Sequence, residues 1–216
     1  MTKFVRYLSM LIVIRIAAIP LFIAFATFSL HGQGAEQYAN GQVKWQGEEA
    51  SGIKFGEWLY FYENGQVASC EHYVDGILDG VVSYYYPDGT LQGREHWRGN
   101  LLQDSAFYHF PDGQLHKKGR YEDGLYKGRW QFFEEKTGKL KRTGSYLKGL
   151  PHGEWISYDE SGHLMQKGSY HFGKETGYWQ FFEDGKLKYE GNYEDGKQVG
   201  EWFQYNKKGK KKPYRY

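Results

Sequence analysis

Residues 121–133 read Tyr121-Glu122-Asp123-Gly124-Leu125-Tyr126-Lys127-Gly128-Arg129-Trp130-Gln131-Phe132-Phe133. An Asp-Gly turn signal stands ahead of a run of aromatic strand formers, with a second glycine between them. The same pattern returns as Tyr146-x-x-Gly149-x-x-x-Gly153-x-Trp155-x-x-Tyr158, then at 170–182 and at 193–205. Working outward, a Gly-x-Trp opening or its variant recurs at Gly56, Gly80, Asp104, Gly128, Gly153, Gly177 and Gly200. The steps between those openings are 24, 24, 24, 25, 24 and 23 residues. Such a period implies a stack of small units, not one core around a buried active site.

Residues 56–80 show what one unit does. Glu57-Trp58-Leu59-Tyr60-Phe61-Tyr62 is strand-forming, and Asn64-Gly65 turns the chain. Residues 67–73 return as a second strand, Asp75-Gly76 turns again, and Gly80 opens the next copy. The second turn recurs at Gly124, Gly149, Gly173 and Gly196. Each copy is therefore a β-hairpin with a connecting turn. The predicted fold is all-β: an elongated, curved single sheet of stacked antiparallel hairpins. At ~4.8 Å per strand, seven copies span roughly 70 Å.

The position two after the opening is Trp58, Trp130, Trp155, Trp179 and Trp202, but Val82 and Ala106 in two copies. The position five after it is also mostly aromatic, with opposite parity in a regular strand. Either both faces carry an aromatic row or a bulge intervenes. On the returning strand, the aliphatics at 67, 91, 115, 140, 164 and 187 share parity with Tyr73, Trp97, Tyr121, Tyr146, Tyr170 and Tyr193. That parity predicts one continuous apolar ridge. Gly41, Val43, Gly47 and Gly52 extend the offsets backwards into a degenerate first copy from about residue 37, and residues 200–216 form a truncated last one.

The chain has 216 residues, with 29 Gly, 20 Tyr and only 5 Pro, and 19% of it is aromatic, enough apolar area to drive folding. One cysteine, Cys70, excludes an internal disulfide and a cysteine-based zinc site. All 26 acidic residues lie between two wholly basic ends, so the repeat body is acidic despite a formal charge of +2. An acidic body disfavours nucleic acid as a partner. Lys3 and Arg6 precede an apolar stretch whose clean run is 16–30. Residues 1–34 thus read as a secretory signal cleaved near Ala35, with an uncleaved anchor over 10–30 as the rival. The repeat domain is expected over 35–205, and residues 206–216 as a basic, solvated tail, with an acidic or lipid surface as its alternative use.

The string from Tyr121 to Phe133 and its three later copies resemble the MORN repeat in its bacterial variant form. The resemblance covers about 37–205, and copies two and three depart from it by lacking the Trp. It implies an elongated sheet of hairpins that acts in protein interaction and assembly, or at membranes and phosphoinositides in other members. Bacterial proteins of this variant are often labelled antitoxin-like, a cytosolic role at odds with a secretory leader.

No catalytic string is present: no Gly-x-Ser-x-Gly, no His-Glu-x-x-His, no phosphate loop. The eight histidines share no metal spacing. The Asp-Gly pairs read as turns, not calcium loops. The chain is therefore expected to be non-enzymatic, without cofactor or metal, and exported to the periplasm, cell envelope or medium. A protein partner or a cell-envelope surface is expected, with no nucleic acid. The candidate interaction rows are the five Trp residues above and Tyr73, Tyr121, Tyr146, Tyr170 and Tyr193. For the Trp positions, holding successive hairpins together is the first reading, and a platform for peptide, glycan or protein the second.

Overall fold

The structure, a computed structural model, describes residues 32–215. The apolar run at 16–30, with its expected export or anchoring role, lies outside them. The described residues form one open antiparallel sheet of 17 strands without helix. It begins with β1 (Gly32–Gln37), β2 (Val43–Ala50), β3 (Ile53–Phe61), β4 (Val67–Val74), β5 (Ile77–Leu78) and β6 (Gly80–Tyr85). It continues through β7 (Leu91–Arg98), β8 (Leu101–His109), β9 (Leu115–Glu122), β10 (Leu125–Phe133), β11 (Leu140–Leu147) and β12 (Leu150–Tyr158). It ends with β13 (Leu164–His171), β14 (Lys174–Glu183), β15 (Lys186–Glu194), β16 (Lys197–Tyr205) and β17 (Lys211–Tyr214). Successive strands pair as a meander, and β5 and β6 both pair with β4 as one strand interrupted at Asp79.

Two kinds of turn alternate. At residues 63–65 the Tyr62 N–H donates to the Gln66 carbonyl at 2.8 Å, and the Gly65 N–H to the Tyr62 carbonyl at 2.9 Å. Only Gly65 has a positive φ, +83°, so Asn64-Gly65 closes a three-residue loop and not a two-residue primed turn. The second turn is the primed one: Asp75 (φ +50°) and Gly76 (φ +75°) are both left-handed. Loop length explains the uneven period. The 25-residue step carries the longer loop between Glu134 and Lys139. The 23-residue step carries only Asp184 and Gly185 between the paired Glu183 and Lys186.

A register shift at the end of each hairpin bears on the parity question. Phe133 pairs with Leu140 while Phe132 pairs with Arg142, so one extra residue, Lys141, sits on the returning strand. The shift recurs at Phe61 and Val67, Tyr85 and Leu91, Tyr158 and Leu164, and Phe182 and Leu187. The first sequence alternative therefore holds: the opening strand runs regularly from the Trp to the second aromatic, each face carries aromatics, and the bulge lies on the returning strand. The bulge corrects the expected continuous ridge. The aliphatics align with the second aromatic row instead of with Tyr73 and its equivalents.

Both ends also differ from expectation. β1 starts at Gly32, three residues before the expected domain start at 35. Residues 206–215, expected as a solvated tail, hold a turn and β17, which pairs with β16 through Trp202 and Tyr214. Pro213 is tolerated there because β17 lies at the sheet edge among the described residues.

Candidate interaction face

The packing unit is a Trp laid on a glycine. On β10, Lys127 pairs with Arg120 and Gln131 with Lys118, so three residues of β10 oppose Gly119 alone. Gly128 makes this possible with φ +61°. The Trp130 ring folds back over Gly119, where an added Cβ would lie 2.2 Å from the ring, and its indole N–H donates to the Arg120 carbonyl at 3.0 Å. Gly47 and Trp58, Gly144 and Trp155, Gly168 and Trp179, and Gly191 and Trp202 repeat the arrangement. All five Trp are buried, Trp130 completely. They hold the hairpins together and present little surface to a partner.

The tyrosine row brackets them. Tyr121, Tyr146, Tyr170 and Tyr193 each meet the Trp nine residues later nearly perpendicularly, with ring centres 5.1 Å apart. Such edge-to-face pairs add about 0.5–1.5 kcal/mol each beyond burial. Tyr121 is buried, while Tyr73, Tyr146, Tyr170 and Tyr193 are half-buried at the rim.

The two copies without Trp are solved differently. Eleven residues before Val82 and Ala106, where the other copies have glycine, stand Glu71 and Glu95. The carboxylate occupies the room the indole takes elsewhere. Glu71 accepts from Ser69 and from Tyr73 Oη at 2.7 Å. Glu95, buried, accepts from Tyr108 Oη and from Trp97 Nε1 at 3.0 Å. Burial, then these carboxylates, push the Tyr73 and Tyr108 phenols far above their usual range. These carboxylates are structural acceptors, already engaged.

On the opposite face, Glu190 is buried in β15. Tyr205 Oη, Gln180 Nε2 at 3.4 Å and Lys211 Nζ at 2.9 Å all donate to it. Burial pushes its carboxyl up, but the bonds from Tyr178, Tyr205, Lys211 and Gln180 together outweigh this and hold it at about 2. One of the tail lysines is thus a structural clasp. Cys70 is half-buried, and burial followed by Glu57 raises its thiol to about 11, which makes it a poor nucleophile at neutral pH.

The row of primed turns carries the feature that the sequence reading missed. Ile53, Ile77, Leu101, Leu125 and Leu150 each stand three residues before an opening position, and each is 43–50% exposed. Successive turns are stitched by backbone bonds, from the Gly76 N–H to the Lys54 carbonyl at 2.8 Å and from the Gly124 N–H to the Leu102 carbonyl at 2.9 Å. Three of the aliphatics lean onto the next turn: Ile53 Cγ2, Leu125 Cδ2 and Leu150 Cδ2 lie 3.4, 3.3 and 3.8 Å from a Cβ placed at Gly76, Gly149 and Gly173. The result is an exposed aliphatic line through five consecutive copies. Aligning the copies at their opening residue would have revealed both this line and the Gly-to-Glu exchange.

A family model described as the MORN repeat variant matches residues 56–75, 78–98, 151–171 and 175–195. With the hairpin sheet this makes the chain a MORN-repeat protein. The unmatched stretch at 99–150 continues the same hairpins. No curated protein matches the chain. Among solved structures, the GtfA/B complex bound to UDP and GlcNAc is 17% identical with a TM-score of 0.23, over 50% of this chain and 21% of that one. The TcdB2-TccC3 structure is 13% identical with a TM-score of 0.23, over 80% of this chain and 13% of that one.

Proposed function

We propose that this chain is an exported, non-enzymatic MORN-repeat scaffold that docks a protein partner along its row of primed turns. The aliphatic line at Ile53, Ile77, Leu101, Leu125 and Leu150 carries the reading. Folding does not require apolar residues there, because Lys174 and Lys197 occupy the same position in copies that form the same hairpins. An exposed, evenly spaced apolar line gains roughly 25 cal/mol per Å² when a partner covers it. The export part rests on Lys3 and Arg6 ahead of the apolar run at 16–30.

A photo-crosslinking residue placed at Leu101 or Leu125, in the cells that make the protein, tests the surface. Discrete adducts from these positions, absent when the probe replaces Lys118 on the sheet face, support the reading. Equal labelling from all positions, or none from the turn row, overturns it. Fractionation tests export independently. A wholly cytosolic protein sinks that part and favours the antitoxin-like alternative.

A further inference from the structure

β1 is complete only if residues 32–34 stay with the folded chain. Its residues pair with β2 as Gly32 with Glu49, Gln33 with Glu48, Gly34 with Gly47, Ala35 with Gln46, Glu36 with Trp45 and Gln37 with Val43. A cut before Ala35 would remove the first three pairs and place a charged α-amino group opposite Gln46. The outer N–H and C=O groups of β2 would then stand bare along that half of the strand.

Gly34 also packs. A Cβ added there would lie 3.1 Å from Trp45 Cζ3 and 3.3 Å from Cη2, so the glycine backbone lies against the first ring of the aromatic face. Trp45 in turn stacks on Trp58, with ring centres 5.0 Å apart and 26° between the planes. Its indole N–H donates to Glu36 Oε2 at 2.7 Å. β1 thus does what an atypical end copy must: it covers the first aromatic pair from the edge. A chain that began at Ala35 would leave that side of Trp45 to water.

The leader offers another cut that spares the strand. Ala24-Phe25-Ala26 sets alanine at the third and first positions before the Ala26–Thr27 bond, the small-residue pattern that a signal peptidase reads. Residues 16–23 ahead of it are apolar and follow Lys3, Arg6 and Arg15, and their length falls within the roughly 7–15 residues of a signal core. Gly32-Gln33-Gly34 meets the same small-residue rule, so composition does not choose between the two bonds. The pairing and packing of β1 favour the earlier one. Resting on the export reading of the leader, we infer that the processing site is the Ala26–Thr27 bond and that the mature chain begins at Thr27 with β1 whole. The host's signal peptidase hydrolyses that bond. Water gives its hydroxyl to the Ala26 carbonyl carbon and a proton to the Thr27 nitrogen. Residues 1–26 leave with a new carboxylate, and the mature chain gains a new α-amino group. Residues 27–31 then precede Gly32, the first paired residue of β1.

The test is intact-mass measurement and amino-terminal sequencing of the full chain, recovered from the cells that make it and separated into cytosolic and exported fractions. Exported protein beginning at Thr27 is the expected result. Ala26→Tyr sets a bulky ring beside the bond and is expected to leave most of the chain as full-length precursor. Gly32→Gln sets a large side chain at the third position before the Gly34–Ala35 bond, and its product is expected to begin at Thr27 as before. Gly32 is exposed with nothing within 4 Å of an added Cβ, so this variant keeps the fold. The inference is overturned by an exported chain that begins at Ala35, at Met1 or at any other residue, by normal processing of Ala26→Tyr, or by loss of processing in Gly32→Gln. Exported protein with another start overturns it alone and leaves export standing. Unprocessed protein confined to the cytosol overturns it together with the export reading.

Discussion

Gly119 and Trp130 are in contact along the whole indole: a Cβ on Gly119 would stand 2.2 Å from the ring, closer than any packed pair of carbon atoms. The glycine is required by what lies on it, not by its own backbone, since its φ is not left-handed. Gly119→Ala must therefore lift the indole and break its bond to the Arg120 carbonyl. A loss of about 2–3 kcal/mol in urea unfolding is expected. Trp130→Ala should cost about 3–5 kcal/mol. With the indole gone, Gly119→Ala should add little further, so the pair should be strongly non-additive. Additive losses would show that the contact does not govern the site.

Glu95 and Ala106 stand where the other copies have the Gly-Trp pair, and the exchange is reversible in principle. Glu95→Gly strands the Trp97 indole N–H and leaves the Tyr108 hydroxyl only Tyr121 Oη, at about 1–3 kcal/mol. Ala106→Trp alone drives an indole into Glu95, at about 1–3 kcal/mol. Together they recreate the Gly-Trp unit, and the double variant should be more stable than the sum of the singles by about 2 kcal/mol. A double-mutant cycle by urea unfolding measures this directly. A coupling of zero would sink the equivalence.

Asp104 replaces the opening glycine and keeps its left-handed backbone, with φ +57° against +61° at Gly128. Aspartate tolerates this region better than other non-glycine residues. It also faces Arg120 at 3.1 Å and Arg98 at 3.7 Å, both exposed pairs of small worth. The expected order of stability at position 104 is glycine at or above aspartate, then alanine about 1 kcal/mol below glycine, then valine lowest. Thermal melts at low and high salt check it, since salt should lower aspartate toward alanine. Valine matching aspartate would contradict the strain assigned here.

How far these features could be read from the chain alone follows from the range of each interaction. Turn dipeptides and aromatic strand formers act locally, so the repeat boundaries, the two turns per copy and the degenerate copy around Val43 were legible. Parity was not, because the single extra residue at Lys141 and its equivalents carries no local signature. Lys211-Lys212-Pro213-Tyr214 reads as solvated by composition, yet Tyr214 pairs with Trp202 across the strands and Lys211 reaches Glu190, twenty-one residues back. The exposed line at Ile53 to Leu150 escaped for a different reason. A lone aliphatic beside a turn is unremarkable, and only the stacking of turns sets five of them in one row.

The clasp between Glu190 and Lys211 gives the end of the sheet a defined acid response. The Glu190 carboxyl is held at about 2 when folded, against about 4.3 for a free glutamate. Its folded value is depressed, so its contribution is complete above the unfolded pKa and is lost as pH falls from about 4.3 towards 2. Glu190→Gln keeps the shape but removes the charge that Lys211 and the two phenols address. At pH 7 a loss on the order of 1 kcal/mol is expected. The gap between variant and parent should narrow below pH ~4 and close near pH ~2, where the parent carboxyl is itself protonated. Hydrogen exchange at the β16–β17 backbone amides reports this locally, with faster exchange in the variant at neutral pH. A gap that stays constant with pH would mean that packing, not the carboxylate charge, ties the last strand to the sheet.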